Sequence, residues 1–213
     1  KGLQGKKIVA ISNGLELDFF KPDEKYRKEF RERYGYTDLD KVIIGIGIYS
    51  RRKGIVDFVE VAKRLPEYKF IWFGSSPLAA ATKDARKAAQ TKLPNLTFAG
   101  HVDQKFIREA LGGCDLFLFP TLEETEGIPI IEACSMQTPI LVRDIEIFRD
   151  WFKENEDVYK ARDVDEFVLK TKQIVEKKLP LLAENEKKKA LEKDIRTVGK
   201  QLKEVYTELL NQK

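Results

Sequence analysis

Two carboxylates, Glu124 and Glu132, stand with seven residues between them, Gly127 and Pro129 included, where a helical pattern begins. Ahead of them, Leu116–Phe119 is a short apolar run that reads as a buried strand. A strand that turns through glycine into a helix offers backbone N–H groups without intrahelical partners and the positive end of the helix dipole, which together suit an anion. Glycine lets backbone approach a ligand closely, and proline fits the first helical turn. Carboxylates accept hydrogen bonds from hydroxyls, so one at each end of a phosphate cradle suits a nucleotide-sugar. The sugar would meet Glu124 and the ribose Glu132.

A second cluster lies earlier. Arg51, Arg52 and Lys53 precede Gly54 at the end of another apolar run. Three cations at a strand end can neutralise a diphosphate, and a helix opening at Gly54 adds its dipole. A solvated basic loop is the alternative for this cluster alone; the carboxylate motif later in the chain favours phosphate binding.

These loops need a scaffold that delivers them to one edge. Apolar runs alternate with helical patterns, which predicts βαβ units and a parallel sheet covered on both faces: an α/β, Rossmann-like, doubly wound domain. Predicted strands are Ile8–Ser12, Val42–Ile48, Phe70–Phe73, Leu96–Ala99, Leu116–Phe119 and Ile140–Val142. Predicted helices are Glu24–Tyr34, Ile55–Arg64, Ala79–Thr91, Gln104–Leu111, Pro129–Met136 and Val164–Lys177. Ligands of such sheets sit beyond the carboxyl ends of the strands. The domain is expected over residues 1–182. Residues 183–213 are rich in Lys and Glu, with apolar positions at three- and four-residue spacing from Leu191 to Leu209, and predict one amphipathic helix. Packing against the sheet domain or a neighbouring domain is the preferred role for that helix over membrane binding.

The surroundings of the two carboxylates carry a family resemblance: Asn13-Gly14, Arg52-Lys53-Gly54, the segment Phe98 to Val102, Glu124 to Ala133, Pro139, and Arg143-Asp144-Ile145. Together, over residues 8–175, they resemble the C-terminal, donor-binding half of retaining GT-B glycosyltransferases of the family 4 type, most of all the bacterial diacylglycerol glucosyl- and galactosyltransferases. The resemblance implies a hexosyltransferase using a UDP-hexose. Glu124 would hold the donor sugar in the catalytic position. Arg51, Arg52, Lys53 and the N–H groups of Gly127 and Ile128 would hold the diphosphate, Glu132 the ribose, and the backbone at Val102 the base. It implies an acceptor domain N-terminal to this chain, to which the C-terminal helix would cross back, and a fragment inactive alone. No metal and no cofactor are implied, the UDP-sugar being substrate. Transfer to a polysaccharide or protein, and a non-catalytic nucleotide-binding module, stay open as alternatives. The sequence departs from the family at Ile48, where an Arg is usual and Arg51 or Arg52 could substitute; at Glu126, where an aromatic is usual; and at Gln137, where a glycine is common.

Other features bound the reading. The 213 residues, 42% hydrophobic and 35% charged, fit one sizeable core. No apolar run approaches the roughly 20 residues that span a bilayer. Cys114 and Cys134 sit in apolar contexts and predict no disulfide. A cytoplasmic setting follows as an expectation, with peripheral contact at the inner membrane face through the intact protein. A net charge of +4 does not call for nucleic acid. Gly45-Ile-Gly47 lacks the third glycine of a dinucleotide loop and reads as strand. The triplets Asp38-Leu-Asp40 and Asp163-Val-Asp165 read as a turn and a helix cap rather than a metal site. His101, the single histidine, reads as an incidental loop residue.

Overall fold

The computed structural model describes residues 8–211. Six strands form one all-parallel sheet: β1 (Val42–Ile46), β2 (Lys69–Phe73), β3 (Leu96–Gly100), β4 (Leu116–Phe119), β5 (Ile140–Arg143) and β6 (Tyr159–Ala161), in the order β3-β2-β1-β4-β5-β6. The helices are α1 (Glu24–Tyr34), α2 (Ile55–Arg64), α3 (Lys83–Ala89), α4 (Gln104–Gly113), α5 (Ile128–Ser135), α6 (Glu146–Trp151), α7 (Val164–Val175), α8 (Ala183–Leu191) and α9 (Ile195–Asn211).

Side chains alternate across each strand, so one apolar sequence feeds two cores. Val42, Ile44, Ile71, Phe73, Phe117, Phe119, Ile140 and Val142 pack with α1, α4 and α5. Ile43, Phe70, Trp72, Leu116, Leu118 and Leu141 pack with α2, α3 and α7 on the other face. The strand order reverses direction between β1 and β4, and the carboxyl ends of these two strands form the switch point at which the crevice of such sheets lies.

The doubly wound α/β class and five predicted strands match the structure; three local expectations do not. The helix expected over Ala79–Thr91 is a 3-10 turn, Leu78–Ala80, followed by the shorter α3. Ile8–Ser12 forms no strand: Ile8 is 70% exposed, and the strap that follows binds through side chains and one isolated bridge at Leu15. The sixth strand is instead β6, whose central Lys160 disguises it. Lys160 is buried because its Nζ donates to the carbonyls of Phe148 (2.9 Å) and Phe152 (2.6 Å) at the end of α6, itself absent from the sequence reading. Both helix-end carbonyls thereby gain partners. The tail is also two helices, not one. The break at 192–194 comes where Asp194 accepts from the Arg196 N–H (2.7 Å) and Leu15 forms a bridge to Asp194. The two Asp-x-Asp triplets take the expected roles. Asp40 accepts from the backbone and hydroxyl of Thr37, and Asp163 caps α7.

Candidate functional site

The crevice between β1 and β4 brings the two predicted clusters together. After β1 the chain runs through a 3-10 turn, Arg51–Lys53, into α2; after β4 it runs from Pro120 through Gly127 into α5. Ser50 caps the 3-10 turn by accepting from the Arg52 N–H at 3.2 Å. Gly54 follows with φ of 78°, in the left-handed region where a side chain is strained, and a Cβ there would lie 2.1 Å from the Pro120 carbonyl oxygen. Glycine at 54 thus allows the two loops to touch. Leu122 then donates its N–H to the Arg52 carbonyl at 2.7 Å, and the Thr121 hydroxyl donates to the same oxygen at 3.0 Å.

That contact aligns Lys53 with Glu124. Their Nζ and Oε2 atoms lie 2.5 Å apart, with side chains 16% and 7% exposed. Lys53 also stands over the Phe119 ring, 5.7 Å from its centre. An ammonium carries three donors, so one bond to Glu124 leaves two for an anion. Arg52 donates to the Glu123 carbonyl at 3.0 Å from an exposed position on the same loop. Arg51 goes elsewhere. It pairs with Asp84 near the start of α3, and the Thr82 hydroxyl together with this guanidinium holds the Asp84 carboxyl down at about 2. The structure therefore joins Arg52 and Lys53, not Arg51, to the carboxylate loop.

Gly127 (φ 76°) begins α5, with Pro129 in its first turn. The N–H groups of Gly127 and Ile128 find no protein acceptor among the described residues. They form the helix N-terminus that an anion would complete. One turn into α5, Glu132 is 5% exposed and its carboxylate has no hydrogen-bond partner among the described residues. Burial pushes its carboxyl up to about 7. A buried carboxylate without a donor is costly, and a ligand that supplies hydroxyls would relieve that cost.

Val102 lies in the loop after β3, two strand positions from β1 and so roughly 10 Å along the sheet edge. Its side chain is half-buried against the core on the β1–β4 face that also holds α1, α4 and α5. His101 is exposed. No group of three or more metal-ligating side chains occurs among the described residues.

Two residues noted in the sequence take partners that it did not indicate. Glu126 accepts from the Ser12 hydroxyl, the Asn13 N–H (3.2 Å) and the Asn13 side-chain amide (2.5 Å), tying the loop to the N-terminal segment. Arg143 braces the ends of β4 and β5. It donates to the carbonyls of Pro120 (3.2 Å) and Arg162 (2.7 Å), pairs with Asp57, and lies over the Phe167 ring. Both partnerships join positions more than ten residues apart, beyond the reach of local periodicity.

Known proteins resemble this chain in sequence and in fold. Residues 26–197 match the family Glycosyl transferases group 1. The processive diacylglycerol alpha-glucosyltransferase of Acholeplasma laidlawii is 36% identical over 203 residues, covering 95% of this chain and 61% of that protein. The alpha-galactosylglucosyldiacylglycerol synthase of Streptococcus pneumoniae is 30% identical over 152 residues, covering 70% of this chain and 41% of that protein. The chain thus spans less than two thirds of these relatives. Among solved structures, Anabaena Alr3699/HepE in complex with UDP-glucose superposes with a TM-score of 0.82 at 18% identity, over 94% of this chain and 57% of that one. At that identity the likeness concerns the fold. With a match spanning most of its length and a doubly wound sheet to carry it, this chain belongs to the group 1 glycosyl transferases.

Proposed function

We propose that this chain is the nucleotide-sugar-binding half of a retaining hexosyltransferase that moves glucose or galactose from a UDP-hexose to a glycolipid. The carrying observation is the Lys53–Glu124 pair at 2.5 Å, held in the β1–β4 crevice beside the open N-terminus of α5. The two diacylglycerol-related relatives support a lipid acceptor over a polysaccharide or protein. An acceptor domain N-terminal to this chain would complete the enzyme, which would meet the membrane peripherally from the cytoplasm. No helix among the described residues is long and apolar enough to cross a membrane.

In this reading the diphosphate rests on the Gly127 and Ile128 N–H groups, with Lys53 and Arg52 supplying charge. Glu124 accepts from donor-sugar hydroxyls and Glu132 from the ribose, while the loop at Val102 borders the base. As the glycosidic bond breaks, negative charge grows on the departing UDP. Fixed cations and the helix dipole already face it, so little reorganisation is needed. Glu124 positions the sugar; no covalent nucleophile is assigned.

Titration calorimetry of this chain with UDP, UDP-glucose and NAD tests the reading. UDP and UDP-glucose should bind and NAD should not. Lys53→Ala should weaken UDP by about 1.5–3 kcal/mol, the worth of a charged hydrogen bond, or roughly ten- to a hundredfold. Glu124→Gln should cost UDP-glucose affinity but leave UDP nearly unchanged. Binding of NAD without UDP overturns the proposal, and equal loss of UDP affinity in both variants overturns the division of roles.

A further inference from the structure

Glu126 stands between Glu124 and Gly127, in the middle of the loop that faces the crevice, yet its carboxylate is occupied by a distant segment. Ser12 and Asn13 give it three donors: a hydroxyl, a backbone N–H and a side-chain amide. Among the described residues, these are the only hydrogen bonds that tie residues 125–127 to a remote part of the chain. The strap formed by residues 12–15 is held on another side as well. Leu15 donates its N–H to the Lys193 carbonyl (2.9 Å) and accepts from the Ile195 N–H (2.9 Å), at the junction of α8 and α9. Between these anchors Gly14 adopts φ of 75°, and a Cβ there would lie 3.2 Å from the Ile195 Cα. The Ser12 hydroxyl also accepts from the Gly14 N–H at 3.1 Å, which folds the strap into a turn. One continuous hydrogen-bonded path therefore runs from the crevice loop through Glu126 and the strap to the start of α9.

From this path we infer that Glu126 is a positioning residue that couples occupancy of the nucleotide-sugar loop to the strap 12–15 and, through it, to the α8–α9 junction; the inference rests on the donor-site reading above. A carboxylate gathering three donors is a strong and directional link, because charge-assisted hydrogen bonds exceed neutral ones. A ligand that fixes residues 124–128 also fixes Glu126, and with it Ser12 and Asn13. Linkage makes the effect mutual, so loosening the strap must loosen the loop. The strap meets this loop at Glu126 and the start of the last helix at Leu15, so a signal from the crevice reaches both. An aromatic side chain at position 126, as the family resemblance leads one to expect, could not accept these bonds.

Amide hydrogen exchange read by mass spectrometry tests the coupling. The wild-type chain, Glu126→Ala, Glu126→Gln and Asn13→Ala are each compared with and without UDP. In the ligand-free state, Glu126→Ala should speed exchange at residues 12–15 and 193–196 about tenfold or more, the consequence of losing charged hydrogen bonds. Peptides from β1 and β4 should keep their rates, which separates a released clasp from general unfolding. Saturating UDP should slow exchange of the strap in wild type but not in Glu126→Ala, whose UDP affinity should drop only about three- to tenfold. Glu126→Gln, with one acceptor oxygen left, should fall between. Asn13→Ala removes one of the three donors and should speed exchange of the strap in the same direction by a smaller factor, which keeps the test readable if position 126 does not tolerate substitution. Equal protection of the strap by UDP in wild type and Glu126→Ala overturns the coupling, as does ligand-free exchange that neither variant changes. Failure of wild type to bind UDP sinks the donor reading and the coupling with it; the ligand-free comparison still decides whether the clasp holds the strap.

Discussion

At the scale of single residues, Glu132 has the clearest consequence. Its carboxyl is raised from 4.5 to about 7 because it is buried without a partner. The folded state therefore holds this proton more tightly than the unfolded chain. The associated stability is fully present below about pH 4.5 and is lost as the pH rises through about 7, a loss of roughly 3 kcal/mol at most. Glu132→Gln has no such proton to lose. Urea unfolding should find the variant about 1–3 kcal/mol more stable than wild type at pH 8, and close to it at pH 4. The same variant should bind UDP more weakly, because an amide is a poorer acceptor for ribose hydroxyls than a carboxylate. A variant no more stable than wild type at pH 8 would show that Glu132 is not strained by burial. Greater stability with weaker binding is the pattern of a residue kept for its ligand rather than for the fold.

At the scale of elements, the decisive contact is between two loops. The left-handed Gly54 lies against Pro120, and this approach places Lys53 beside Glu124. Gly54→Ala should cost about 1–2 kcal/mol for the backbone alone, with the clash against the Pro120 carbonyl added. UDP affinity should fall with it, since the β1 loop must withdraw from the β4 loop. Equal stability and affinity in the variant would show that the approach of the loops does not set the site. Much at this scale was legible beforehand. The helix α5 was announced by Gly127 and Pro129, and α1, α2, α4 and α7 by their periodicity. What misled was composition without context. Ile8–Ser12 has the apolar character of a strand but no neighbour to pair with, whereas Tyr159–Ala161 carries a lysine yet is a buried strand, because Lys160 caps the end of α6. The regular apolar spacing from Leu191 to Leu209 concealed the break before Ile195, although Asp194 is a recognisable N-cap residue.

At the scale of the molecule, one crevice and one long tail stand out. The chain spans 61% of its Acholeplasma relative, and a transferase must hold an acceptor against the donor carbon. Such proximity can lower a barrier by about 7–11 kcal/mol at best. The described structure offers one candidate crevice, at the carboxyl ends of β1 and β4. We expect this chain alone to bind UDP-glucose but to transfer no sugar. Assaying it beside the full-length protein with UDP-glucose and diacylglycerol vesicles checks this. Comparable turnover would place the acceptor site within these 213 residues. Helix α9 bears on the same point: Val198 is its buried residue, while Leu202, Tyr206, Leu209 and Leu210 remain exposed.

The sequence by itself determined the class of fold and named the residues of the candidate site. Continuous apolar strands between amphipathic helices leave a parallel sheet covered on both faces as the economical solution, and a strand–glycine–helix turn offers unpaired N–H groups to an anion. These are local properties, written in spacing and residue type. Tertiary structure decided which groups meet. It chose Arg52 and Lys53 over Arg51 as neighbours of the carboxylate loop, set Arg143 to brace strand ends, and gave Glu126 its partners in Ser12 and Asn13. Each of these choices depends on where a loop arrives after its strand takes its place in the sheet. Strand order and close approach of backbones fix that arrival, and neither is encoded in the periodicity of any single segment.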